Sequence, residues 1–330
     1  MANMIRSRLL TCNRIRWTAV GMVGGVGSFI GWTQPTTTDV VFCEEKEPTI
    51  SSLLEQNEKN ATSKILATSN AEPPTYSLLQ QMAAEAIGTG IIVSGGCGAV
   101  CASKFGGTPL SLMHIATAFG VSVALAVYAT RDVSGAHLNP AVTASLAWHH
   151  PESCPNPLEY MVAQFGGATI AGGINYAMYS KGIDALHIAE KVSRGTTAAS
   201  SGLFNGAFHM IPNNALVKTL GGALAVEVGL TTGLAFGIYA LTDPAKSVPA
   251  GAQPALVGAT VAALVVPGAP LTGCGMNPAR DLGPRLIAAT FGGLGKAALH
   301  PSWWVYSIGP VIGAIAGGYV YQAALTAAEK

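Results

Sequence analysis

Two halves of the chain repeat each other, and each half holds an odd number of apolar runs long enough to cross a membrane. Ala84-Glu85-Ala86-Ile87-Gly88-Thr89 echoes Val226-Glu227-Val228-Gly229-Leu230-Thr231. Ser134-Gly135-Ala136-His137-Leu138-Asn139-Pro140-Ala141 echoes Thr272-Gly273-Cys274-Gly275-Met276-Asn277-Pro278-Ala279, and Gly167-Ala168 echoes Gly313-Ala314. About 20 apolar residues span a bilayer core. On that measure the spans fall near 78–101, 109–130 and 157–180 in the first repeat (77–180), and near 218–242, 254–270 and 301–325 in the second (217–325). Three crossings carry the chain to the other side, so the second repeat enters from the opposite face and the repeats are inverted. Inverted repeats bring their equivalent features together near the midplane, where irregular backbone is tolerated only if it lines a cavity.

Composition agrees. Charged residues make up 11% of the 330 residues, against about 25% in ordinary soluble domains, and mean hydropathy is +0.40. A net charge of +1, without a basic cluster interleaved with aromatics, argues against a nucleic-acid partner. The six cysteines show neither CxxC pairing nor disulfide-scaffold density, and no His, Cys or Asp has metal-ligand spacing. No nucleophile, base and oxyanion donor occur together, so neither an enzyme nor a cofactor is expected.

Residues 1–76 stand apart from the apolar, repeat-bearing remainder, 77–330. Arg6, Arg8, Arg14 and Arg16 precede any acidic residue, and a glycine-rich apolar run extends from Trp17 to Trp32. An Arg-rich, acid-poor start suits an organelle transit peptide, mitochondrial or plastid in style, while a basic region before an apolar run suits a secretory signal or anchor. From Asp39 to Pro74 the chain is polar and glutamate-rich and is expected to be an unstructured linker.

Two shorter apolar stretches, 137–149 and 275–289, lie between the spans. At 1.5 Å per residue such stretches reach only about halfway through a core of about 30 Å, so they are expected to be half-helices. Each carries Asn-Pro-Ala. Pro140 and Pro278 suit the first helical position, where a missing N–H leaves nothing unpaired. Asn139 and Asn277 suit the N-cap, with the side-chain oxygen accepting from the first turn and the NH₂ group left free for a passing oxygen. Both helix dipoles then point their positive ends at one spot, which opposes cations and protons and leaves neutral solutes little affected.

The strings SGAHLNPAVT and GCGMNPARD resemble the signature motifs of the aquaporin and glycerol-facilitator family, over residues 78–325. That resemblance implies an all-α membrane protein of six transmembrane helices plus two half-helices, assembled in lipid as a homotetramer with one pore per subunit. It also implies a constriction of Phe119, Val265, Cys274 and Arg280. Arg280 interrupts a long uncharged run, which by itself marks a functional position in a membrane. Valine at 265, where strict water channels typically carry histidine, implies a wider and more apolar filter that admits glycerol or urea with water. Asp281 and the following Arg285 resemble the glycerol-facilitator branch, as do Leu241-Thr242-Asp243 and Val248-Pro249. Tyr306-Ser307, where that branch usually has Pro-Leu, and Cys274, where many glycerol channels carry an aromatic, depart from it. Glu85 and Glu227 are implied to accept N–H bonds from the half-helix loops. His137 is expected to be structural or pore-lining, and the Cys274 thiol is either reachable from the pore or a small packing residue. The alternatives are a water-selective channel, a secondary transporter, which also uses inverted repeats and broken helices, and a non-conducting structural homologue.

Overall fold

The fold is described from a computed structural model, which describes residues 10–18, 37–45, 49–69, 75–195 and 197–328. The chain divides into two compact units, Met1–Pro74 and Thr75–Lys330. In the first, β1 (Leu10–Thr18) pairs antiparallel with β2 (Thr37–Glu45), and α1 spans Ile50–Ser69. Strand and helix therefore occupy part of the stretch where composition predicts a linker. An i,i+4 pair, Lys59 to Glu55 at 2.8 Å, supports the helix locally. The Trp17–Trp32 run lies, beyond Thr18, outside the described residues.

The second unit is built of helices. Its first span is α2 (Leu78–Ile92), a single π turn at Val93–Cys97, and α3 (Gly98–Phe105). There follow α4 (Leu112–Ser134), the half-helix α5 (Pro140–His149), α6 (Pro157–Ala189) and a short α7 (Ala198–Phe204). The second repeat supplies α8 (Leu220–Thr242), α9 (Gln253–Thr272), the half-helix α10 (Pro278–Thr290) and α11 (Val305–Ala328). Starts follow capping chemistry. Ser77 with Gln80 and Ser111 with His114 form capping boxes, and proline occupies the first turn of α5, α6 and α10. Gly135 (φ 83) and Gly273 (φ 88) end α4 and α9 in the left-handed region, at equivalent places in the two repeats.

Five of these helices are long and apolar enough to cross a membrane: α2–α3, α4, α8, α9 and α11. The sixth span, α6, is longer than the 157–180 expected and less apolar. It carries Gln164 and Asn175, both buried and both donating hydrogen bonds inside the fold. Packing obeys the repeat. Helix α2 lies on α6 as α8 lies on α11, α2 on α4 as α8 on α9, and α10 on α6 as α5 on α11. The α4–α9 contact is close at Gly120 and Gly258, where a Cβ on either would come within 2.7 and 2.3 Å of the other's carbonyl oxygen.

Candidate pore

Both half-helices begin at the proline, three residues later than the apolar runs imply. Residues 137–139 and 275–277 are instead irregular backbone, with Leu138 (φ 52) and Met276 (φ 51) in the left-handed region. Asn139 Oδ1 accepts from Ala141 N at 2.8 Å, and Asn277 Oδ1 accepts from Ala279 N at 3.0 Å and Arg280 N at 3.3 Å. The NH₂ groups are not wholly free. Asn139 Nδ2 donates to Met276 O and Asn277 Nδ2 to Leu138 O, each at 2.9 Å. An amide carries two N–H groups, so each asparagine ties the repeats together with one and retains the other. These bonds hold the two helix N-termini against each other. The left-handed turn of Leu138 and Met276 is what presents those carbonyls, and neither residue type signals it in the sequence.

Each loop hangs on a carboxylate. Glu85, wholly buried on α2, accepts from Ser134 Oγ (2.6 Å) and His137 N (3.0 Å) at one oxygen, and from Leu138 N (2.6 Å) and Gln164 Nε2 (2.7 Å) at the other. Glu227 on α8 accepts from Thr272 Oγ1 (2.6 Å), Gly275 N (3.0 Å) and Met276 N (2.9 Å). A buried carboxylate is tolerable when its lone pairs are filled in this way. A second pair of side chains closes the arrangement: the Tyr160 hydroxyl meets Ser134 O at 3.0 Å, and the Tyr306 hydroxyl donates to Thr272 O at 2.8 Å. Tyr306, one of the departures from the glycerol-facilitator pattern, is thus the repeat equivalent of Tyr160.

One cavity of about 280 Å³ brings Asn139, Asn277, Phe119, Val265, Cys274 and Arg280 together. Its remaining wall is largely aliphatic, with Val123, Val261 and Leu234 among the lining residues. Pro140, Ala141, Pro278 and Ala279 form the half-helix starts behind it, and His137 also lines it. Arg280 is buried and has no ion-pair partner among the described residues. Its Nη2 donates to Gly206 O at 2.8 Å, its guanidinium lies 5.1 Å from the centre of the Phe119 ring, and its Nε and Nη1 have no protein partner. A cation over a ring face within about 6 Å is attracted to it. Phe119 is seated by the π turn of the first span: a Cβ on Gly96 would lie 2.2 Å from the ring. Asn175 Nδ2 donates to Val93 O (3.1 Å) beside that turn. Cys274 is buried, with Sγ 3.5 Å from Leu264 O.

Asp281 lies outside the cavity lining. Its Oδ2 accepts from Arg285 Nε at 2.9 Å and its Oδ1 from Arg285 Nη2 at 2.8 Å, and Oδ1 also accepts from Met210 N at 2.7 Å. Arg285 further donates to Met210 O at 3.0 Å and to Ala298 O. The pair fixes the connection between α7 and α8 onto α10.

The sequence profile described as Major intrinsic protein matches residues 72–321. The glycerol uptake facilitator protein of Haemophilus influenzae is 38% identical over 247 residues, covering 73% of this chain and 92% of that protein. The chain belongs to the major intrinsic protein family. Like its relatives in that family, it resembles the propanediol uptake facilitator of Salmonella typhimurium, 37% identical over 252 residues and covering 74% of this chain and 94% of that one. The X-ray structure of the aquaglyceroporin from Plasmodium falciparum shares the fold, with a TM-score of 0.62 at 22% identity over 76% of this chain and 97% of that one. This major intrinsic protein uses several residues that its motifs do not announce. Gly95 and Gly96 form the π turn, Gln164 bridges Glu85 to Thr143 Oγ1 (2.9 Å), and Gly206 reaches Arg280 across 74 residues of sequence. Only the glycine pair at 95–96 leaves a sequence trace.

Proposed function

We propose that the chain is a passive channel for small uncharged polar solutes, glycerol first, with related diols, urea and water. The supporting observation is the setting of Arg280: buried, without an acidic partner among the described residues, with Nε and Nη1 unpartnered, and sharing a cavity with Phe119 and Val265. A solute whose hydroxyls meet the guanidinium and whose carbon face meets phenyl and isopropyl groups leaves neither wall unsatisfied. An ion would shed its water beside a fixed positive charge and two helix N-termini, in a lining that is largely aliphatic. Phe119, Val265, Cys274 and Arg280 act as the filter in this reading, and the paired Asn-Pro-Ala starts act as the midplane donors. Asp281 acts indirectly, through the loop it anchors.

The deciding experiment is stopped-flow shrinkage and reswelling of proteoliposomes, with water, glycerol and urea compared side by side. Glycerol flux well above that of empty liposomes is the expected result. A chain that passes water alone would replace this reading with the water-selective one, and no flux at all would leave a non-conducting homologue.

Assembly as a homotetramer fits the apolar side chains exposed along the outer helices, such as Ile87, Leu125, Ile170 and Ile174. Native mass spectrometry in detergent would detect it. Residues 1–76 would act as a targeting segment ahead of the channel unit. A soluble reporter carrying them should reach an organelle or the secretory route, and a reporter that stays in the cytosol would overturn that assignment.

A further inference from the structure

Arg280 is held from outside the pore by a single carbonyl, and that carbonyl belongs to a small closed loop. Asn205 Oδ1 accepts from Ile211 N at 2.9 Å, and Gly206 N donates to His209 O at 2.7 Å, so residues 205–211 form one turn. Gly206 has φ 84, a left-handed conformation that aims its carbonyl at Arg280 Nη2, 2.8 Å away. The far end of the turn is fixed to α10 by the Met210 bonds to Asp281 and Arg285. The near end continues α7, with Asn205 N donating to Gly202 O at 3.2 Å, and one side chain from another helix joins it there. Lys104, half-buried at the end of α3, donates from Nζ to Asn205 O at 2.8 Å, the carbonyl immediately before Gly206.

Two cations from different helices thus converge on consecutive carbonyls of one turn. We propose that Lys104 is a positioning residue for solute selection: by holding the Asn205–Gly206 peptide it keeps the Gly206 carbonyl on Arg280 and so keeps the guanidinium against the wall. This rests on the reading of Arg280 as part of the filter. Without Lys104 the Asn205–Gly206 peptide loses that donor and its Gly206 carbonyl turns away, so Arg280, whose other nitrogens have no protein partner, is left with only the Phe119 face. The guanidinium then enters the lumen. That narrows the passage for a three-carbon solute far more than for water.

The test uses the full chain in proteoliposomes and reads the ratio of glycerol to water permeability. Lys104→Met, which keeps the length and removes the donor, is expected to lower the ratio several-fold, and Lys104→Arg, which restores a donor, to recover most of it. A purely structural role would lower yield and scale both permeabilities together, leaving the ratio unmoved. Gly206→Ala serves where Lys104→Met folds poorly. Its Cβ meets only Val100, at an ordinary 3.6 Å, so the strain is confined to the backbone that aims the carbonyl, and the ratio should shift the same way. An unchanged ratio in either folded variant, with native glycerol flux intact, overturns the proposal alone. Absence of glycerol flux in the native chain overturns the functional reading and this proposal with it.

Discussion

At the scale of single residues, the proposed filter and the loop beside it each hold one side chain whose chemistry a substitution can test. Val265 shares the cavity with Arg280 and Phe119 and adds no polar atom to it. Val265→His adds ring volume and an N–H where a solute's carbon face would lie. A roughly tenfold fall in glycerol flux is expected, ~1.4 kcal/mol of added barrier, with water flux much less affected in the same vesicles. Equal loss of both would mean that residue 265 blocks the pore rather than selects within it. His209 lies in the α7–α8 connection, outside the spans, with its Nε2 3.1 Å from Ser201 Oγ. Burial, reinforced by the Arg285 charge, lowers its pKa from 6.5 to about 3. The unfolded chain therefore binds the extra proton between those values. The stability conferred by the neutral ring is complete above pH 6.5 and is lost as pH falls toward 3. Between pH 7.5 and pH 5 the loss amounts to about 2 kcal/mol. Melting in detergent should show a larger drop for the native chain than for His209→Gln, which keeps a donor for Ser201. Parallel curves would show that the ring titrates freely.

At the scale of elements, contact between spans is set by glycines whose surroundings differ sharply. A Cβ on Gly167 would lie 2.0 Å from Ala86 O, and one on its repeat equivalent Gly313 would lie 2.4 Å from Val228 O, whereas Gly166 faces open space. Gly167→Ala and Gly313→Ala should each destabilise by roughly 1–3 kcal/mol through overpacking, and Gly166→Ala should stay within about 0.5 kcal/mol of native. Thermal melting in detergent ranks the three, and equal values would refute the close-contact account. Small residues let spans approach closely, but which of two neighbouring glycines touches a backbone depends on helix rotation that sequence does not display. Span positions were legible for the same reason that TM helices are: long uncharged runs have few other solutions. Their ends were less so. Helix α6 runs on to Ala189 through Lys181 and Asp184, because a helix need not stop where the apolar surface does. The half-helix starts were legible as proline N-termini, yet counting apolar residues drew 137–139 and 275–277 into them. Leucine and methionine at φ near 50° carry no local signal, since the conformation is imposed by Glu85, Glu227 and the opposing asparagine.

At the scale of the whole molecule, the inverted repeat decides what kind of transport is open to this chain. Secondary transporters of similar symmetry need a titratable or ion-coordinating group at the central site, free to change partner as the two halves rock. The buried carboxylates among the described residues are Glu85, Glu227 and Asp281. Glu85 receives four donors and Glu227 three, from the loops they support and from neighbouring side chains, and Asp281 is engaged by Arg285 and the Met210 N–H. None is left to exchange a proton or sodium ion, and releasing one would leave buried N–H groups unpaired at about 1–3 kcal/mol each. The cross-repeat bonds from Asn139 and Asn277 also oppose rocking, because sliding one half past the other breaks both at once. Flux should therefore follow the solute gradient alone. Vesicles loaded with a proton or sodium gradient should equilibrate labelled glycerol at the same rate and to the same level as vesicles without one. Accumulation beyond the external concentration, or a rate that tracks the ion gradient, would show that at least one of these carboxylates changes partner during transport and that the repeats move against each other.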